Sequence, residues 1–336
     1  MTRTARVFSA LAAVLLALAA AVVLGATADA ASGDAARLVE QMRAAAGAHD
    51  FTATVEVTWH NAAGARKQAT VDLRAVNGAL EVSAGDQVVL DQGGHTFVKD
   101  ELGWWTPPSE PRPSRHPSPD ARWGLALRHG TALGRATSTV VASRADGSVA
   151  QRLTIDDATD VLVGREVVDR DGSVERGFRF TSFVVTPRSN GAASIGASPT
   201  ATAKDASPVR AVPTGFDAPG TIGAGWVLVT KSRHGDGVQL AYSDGLFTLS
   251  VLEQQGELDW NALPGGGSGT TVDGARARRY AQPLGDVVVW EQDGVVFTCV
   301  SDAPRDVYVT ALAGITGGPS TVDRVVDFVL GPFGFD

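Results

Sequence analysis

Cysteine is almost missing from this chain, with one in 336 residues. A lone thiol forms no internal disulfide, no zinc ribbon and no four-thiolate iron–sulfur site. Lysine is nearly as scarce, with four against twenty-five arginines, and the formal charge is -8. That balance offers no basic field for a polyphosphate backbone and argues against a nucleic-acid partner. The histidines, at positions 49, 60, 95, 116, 129 and 234, contain no His-Glu-x-x-His pair and no spacing that would bring two onto one helical face around a metal. Nucleophile elbows (Gly-x-Ser-x-Gly), Ser-x-x-Lys pairs and Gly-Lys-Ser/Thr phosphate loops are missing as well. The glycines at 265, 266, 267 and 269 do not follow a strand and open a helix, so they read as a hairpin tip rather than a dinucleotide loop. The expectation is a protein with no metal, no cofactor and no catalytic residues. A hydrolase would require groups assembled only by folding.

What is present is globular: 44% hydrophobic and 20% charged residues suffice for two cores. Residues 1–30 read as a signal peptide, with Arg3 and Arg6 ahead of an apolar run from Val7 to Leu24 and a small-residue cleavage site at Ala28-Asp29-Ala30. The run is also long enough to remain as an uncleaved membrane anchor. Either way the rest of the chain is exported, to the periplasm or another extracytoplasmic space. The mature chain then begins near Ala31.

Asp34 to His49 carries Leu38, Met42 and Ala45 at helical spacing. Alternation then predicts strands at Phe51–Trp59, Val71–Val76, Leu80–Ser83, Gln87–Leu90 and His95–Lys99, punctuated by Asn77-Gly78, Gly85-Asp86 and Gly93-Gly94. Those turn residues accept the positive φ of tight hairpins, so an antiparallel meander is expected. A proline-rich loop follows, with a helix predicted to start at Ser118-Pro119-Asp120. Strands resume at Ser138–Arg144, Ala150–Ile155, Gly164–Asp169 and Glu175–Val185.

Residues 186–213, rich in Ala, Ser, Thr, Gly and Pro, read as a flexible linker between an N-terminal domain (31–185) and a C-terminal one (214–336). The second contains strands at Gly225–Lys231, Val238–Tyr242, Leu246–Glu253, Val287–Glu291, Val295–Val300 and Val307–Leu312, then a helix opening at Ser320. The fold class is α+β, mainly antiparallel β: one large antiparallel sheet with few helices, then a smaller sheet with a C-terminal helix. Charge divides unevenly. Residues 31–185 hold 17 Lys and Arg against 20 Asp and Glu, whereas 214–336 hold 7 against 15.

Three groups stand out as candidate sites. Trp104, Trp105 and Trp123 flank the proline-rich loop and either pack into the core or line a groove for an amphiphile or peptide. Arg276, Arg278 and Arg279 form a compact basic cluster in an acidic region, read either as a guarded strand edge or as a contact for an acidic peptide. Asp169-Arg170-Asp171-Gly172 with Glu175 has alternate carboxylates, but its glycine comes too early for a calcium loop, and it reads as a hairpin turn. Cys299, inside an apolar strand, reads as a small hydrophobe.

The run Tyr242-Ser243-Asp244-Gly245-Leu246-Phe247 resembles the signature of the C-terminal domain of MucB/RseB sigma-E regulatory proteins. Val168 to Gly172, continuing to Phe178-Arg179-Phe180-Thr181-Ser182-Phe183, is similar to the hairpin that closes their N-terminal domain. The resemblance implies a LolA/LolB-like half-barrel, a curved sheet with a helical plug, followed by a small domain in which Tyr242 to Phe247 are structural. It also implies an exported, non-catalytic regulator of an extracytoplasmic-function sigma factor in the envelope stress response. Such a protein binds the extracytoplasmic segment of a membrane-anchored anti-sigma factor and shields it from proteolysis until a lipid-like ligand releases it. The alternative is a lipid or lipoprotein carrier of the cell envelope, for which the second domain has no evident use.

Overall fold

The computed structural model describes residues 33–45, 47–92, 95–100, 103–105, 116–188, 207–208, 216, 218–223, 225–234 and 237–315. Helix α1 (Gly33–Ala45) opens the fold, carrying Asp34 in its first turn and Arg43 in its last, the charges that suit a helix dipole. Six strands follow as a meander: β1 (Asp50–His60), β2 (Arg66–Val76), β3 (Ala79–Ala84), β4 (Gln87–Gln92), β5 (His95–Asp100) and β6 (Gly103–Trp105). Alternation drives β1, where Phe51, Ala53, Val55 and Val57 are buried while the threonines between them face outward. Asn77 and Gly78 both adopt positive φ, +51° and +79°, in the two-residue turn joining β2 to β3.

A second meander comprises β7 (Gly124–Ala132), β8 (Arg135–Ser143), β9 (Val149–Asp156), β10 (Leu162–Val168) and β11 (Val174–Thr186). Antiparallel pairing of β1 with β11 joins the two meanders into one eleven-stranded sheet, ordered β6-β5-β4-β3-β2-β1-β11-β10-β9-β8-β7. Its core gathers Val55, Leu73, Val82, Val140, Ile155 and Phe178, with Ala35 and Val39 of α1 laid against it.

The second sheet is built from β12 (Ser207–Pro208), β13 (Thr221–Ile222), β14 (Trp226–His234), β15 (Gly237–Ser243), β16 (Thr248–Gln255), β17 (Ser268–Val272), β18 (Ala275–Gln282), β19 (Gly285–Gln292) and β20 (Val295–Ser301). Its order is β12-β14-β15-β16-β20-β19-β18-β17, with β13 beside β14 and β17 at the edge among the described residues. Helix α2 (Arg305–Leu312) covers one face. Trp226, Tyr242, Phe247, Trp290, Cys299 and Tyr308 meet there, so the cysteine does pack as a hydrophobe. Trp123, Ala142, Ala150 and Val167 of the first sheet belong to the same cluster, so the two sheets share a continuous apolar seam.

The fold is α+β and mainly antiparallel, as the alternation predicts, but two local expectations are corrected. Val307–Leu312 is helical, not a strand. Pro304 starts the helix, Asp306 lies in its first turn, and the buried positions Val307, Tyr308, Ala311 and Leu312 follow a helical stripe. Tertiary burial outweighs the β-branched character of Val307, Val309 and Thr310. The helix expected from Ser118 is a single 3₁₀ turn at Pro119–Ala121, after which the chain enters β7. The signal segment 1–30, most of the stretch 186–213 and the helix expected from Ser320 lie outside the described residues.

Candidate functional site

The Tyr242–Phe247 segment turns from β15 into β16 at the seam between the sheets. Asp244 organises the turn: its Oδ1 accepts from the backbone amides of Leu246 (3.0 Å) and Phe247 (2.8 Å). Ser243 Oγ donates to Phe247 O at 3.1 Å and accepts from Gly245 N at 3.1 Å. Gly245 has φ +94°, and a β-carbon there would lie 2.7 Å from both Pro117 O and Pro119 Cα. Only glycine permits both that backbone and that approach.

Three parts of the first half grip this turn. Arg43 of α1 donates to Gly245 O. His116 Nδ1 lies 3.0 Å from Ser243 Oγ, and Trp123 packs edge-on against Phe247, 5.4 Å between centroids. Arg122 Nη1 stands 3.3 Å from Asp244 Oδ2, a charge contact without hydrogen-bond alignment. Burial pushes the Asp244 carboxyl up to about 6, although the Phe247 amide, Arg122 and the Leu246 amide favour its charge. Burial, with Arg43 nearby, pulls the His116 imidazole down to about 4.

Beyond the turn, arginines of the first sheet meet carboxylates of the second. Arg144 holds both oxygens of Asp306, at 3.0 and 3.1 Å, while bonding Val149 O and Val168 O. Arg170 adds a third contact to Asp306 at 2.7 Å, and Arg165 reaches Asp302 at 2.8 Å. Burial opposes the charge on Asp306, but Arg170 and Arg144 outweigh it and hold the carboxyl below its ordinary range. At the centre, Arg176 donates to Ala303 O and pairs with Glu175 at 3.0 Å. Glu175 also pairs with Arg279 at 3.1 Å, and Arg279 reaches Asp286 at 2.8 Å, to which Tyr308 donates at 2.7 Å. Desolvation raises the Glu175 pKa despite its arginine neighbours. Burial disfavours charge on Arg279, yet Asp286 outweighs it and its pKa is raised.

These contacts sort the residues singled out in the sequence. Arg279 is bound into the seam and is withdrawn from any partner-binding set, because its donors are spent on Glu175 and Asp286. Trp123 is 4% exposed inside the shared core, so it belongs to the seam and not to an open groove. Trp104 and Trp105 form β6, and their side chains lie outside the described residues. Arg276 is exposed and stacks over Trp260, 4.1 Å from the ring centroid. Arg278 lines the same open cavity of about 470 Å³, which Arg305 of α2 also borders. Composition contained one trace of the seam, the excess of arginine over lysine, since guanidinium forks suit bidentate pairs. Trp260 and Arg305 had no signal in the sequence.

Among the described residues no three His, Cys, Asp or Glu side chains converge as metal ligands would. No described helix is long and apolar enough to cross a membrane. No protein-family model matches the chain, and no curated protein matches it. Solved structures do. A chain of the MucA/MucB complex of Pseudomonas aeruginosa aligns with a TM-score of 0.51 at 16% identity, over 86% of this chain and 100% of that one. A crystal structure of MucB in complex with MucA(peri) matches with the same figures. MucB alone aligns with a TM-score of 0.50 at 16% identity, over 85% of this chain and 98% of the other. The fold is therefore that of MucB, across both sheets.

Proposed function

We propose that this chain is an exported, non-catalytic regulator that binds the extracytoplasmic segment of a membrane-anchored anti-sigma factor and shields it from proteolysis. The observation that carries this reading is the extent of the likeness: 86% of this chain aligns with the whole of a chain of the MucA/MucB complex. A carrier built on one sheet would have no need of the second. In this reading residues 31–185 and 214–336 are two coupled units. Helix α1 is the coupling element, since Ala35 and Val39 lie on the first core while Arg43 holds the signature turn of the second sheet. A lipid-like molecule entering between α1 and the first sheet shifts α1, loosens the grip on Gly245 and releases the anti-sigma segment. The shift is as large as the ligand's preference for the loosened state.

The test uses the chain from Ala31 onward with the extracytoplasmic segment of a membrane anti-sigma factor from the same cell and the protease that cleaves it. Cleavage is expected to slow with added protein and to recover on adding amphiphile. A segment that neither binds nor survives longer overturns the reading.

A further inference from the structure

Among the described residues the second sheet ends at β17, whose sequence Ser268-Gly269-Thr270-Thr271-Val272 has no charge and no proline. Edge strands are ordinarily blunted by such residues or by bulges, because their unpaired amides and carbonyls invite another strand. Here the register with β18 is unbroken from Ser268↔Arg279 to Val272↔Ala275. The arginines sit one strand inward, on β18, which is paired on both sides. They do not guard the edge by occupying it.

Their placement favours one kind of visitor. Thr271 lies opposite Arg276, and Gly269 lies opposite Arg278. A β-carbon at Gly269 would meet nothing within 4 Å, so the position opposite Arg278 is open, while the half-buried Arg278 side chain passes close to Gly267. Arg276 is steadied over the Trp260 ring, which also offers an apolar surface. On the opposite face Arg305 donates to Thr270 Oγ1 at 3.2 Å. Among the described residues none of these three arginines forms an ion pair, whereas the arginines of the seam are matched to carboxylates. The result is an uncharged strand edge with cations on both of its faces.

We infer that β17 binds an extended acidic segment by accepting it as an added strand. The backbone pairs with the free side of β17, alternate carboxylates meet Arg276 and Arg278, and an apolar residue lies against Trp260. A second copy of this chain is a poor occupant, since edge-to-edge pairing would set two arginine groups against each other. The occupant is an acidic stretch of the anti-sigma segment, and in that respect the inference rests on the proposed function.

The test uses the full mature chain and two labelled peptides of about ten residues, alternating valine with glutamate or valine with lysine, a length that matches a strand. Fluorescence anisotropy is expected to show binding of the glutamate peptide alone, weakening as NaCl rises from ~50 mM to ~500 mM. The double variant Arg276→Glu/Arg278→Glu should bind it at least about tenfold more weakly, with Arg276→Lys/Arg278→Lys in between. Near-UV circular dichroism checks that both variants keep their packing. Equal binding of the two peptides overturns the inference. So does unchanged affinity in the glutamate variant, or no binding by the full chain. The anti-sigma segment separates this from the proposed function. If the segment binds the glutamate variant undiminished, docking at β17 fails and the regulator stands. If the glutamate peptide binds and the segment does not, the edge site stands and the regulator fails.

Discussion

His116 and Asp244 sit in the same seam with pKa values displaced in opposite directions, so their effects on stability oppose one another as pH changes. The native state holds His116 at about 4 against an ordinary 6.5, so it refuses a proton that the unfolded chain accepts. Stability from this residue is full above 6.5 and is lost as pH falls toward about 4. Asp244 is held at about 6 against an ordinary 3.8, so the native state keeps a proton that the unfolded chain releases. Its contribution is full below 3.8 and is lost as pH rises through about 6. Integrated from about pH 7 to about pH 5, His116 removes about 2 kcal/mol and Asp244 restores about 1 kcal/mol. Urea unfolding at the two pH values, followed by tryptophan fluorescence, measures each protein's own pH difference, so packing losses common to both values drop out. His116→Asn should make the protein relatively more stable at the lower pH by about 2 kcal/mol, and Asp244→Asn relatively less stable by about 1 kcal/mol. If both variants keep the unaltered protein's pH difference to within about 0.5 kcal/mol, the assignment of opposed protons to this seam is wrong.

Two further outcomes follow from the same contacts. Gly245→Ala combines a positive φ with a β-carbon 2.7 Å from backbone atoms, and should destabilise by about 3 kcal/mol or more. A urea midpoint unchanged by that substitution would contradict the close approach of Pro117 and Pro119. Arg144→Ala or Asp306→Asn alone should cost about 2–4 kcal/mol, with the double variant recovering part of the loss. A double-mutant cycle with no coupling between them would remove that pair from the seam.

The strands were legible where one side chain pattern decided them. Phe51, Ala53, Val55 and Val57 alternate cleanly, and Val287–Glu291 and Val295–Val300 are apolar enough to mark the buried strands β19 and β20. Asp169 to Gly172 is the hairpin turn its composition predicts, with Gly172 at φ +87° and Asp171 accepting from Ser173 N. Helix α2 was hidden because valine and threonine favour strands until burial against the sheet is known. The seam was hidden for a different reason. Arg144 and Asp306 are 162 positions apart, and a charge pair at that range leaves no local period to read. Arg279 illustrates the cost: beside Arg276 and Arg278 it is one of three equal cations, yet β18 sends it to the opposite face, into Glu175 and Asp286.

The pairing of β1 with β11 has a consequence for the order in which the chain acquires structure. Asp50 finds its partner in Thr186, and Trp59 in Arg176, so the central strand of the first sheet lacks one neighbour until the whole of that half has been synthesised. Contacts this distant form slowly, because the intervening loop must close before any bond repays it. The first sheet therefore stays open, with β1 short of a neighbour, for as long as Val174–Thr186 is not yet there to pair.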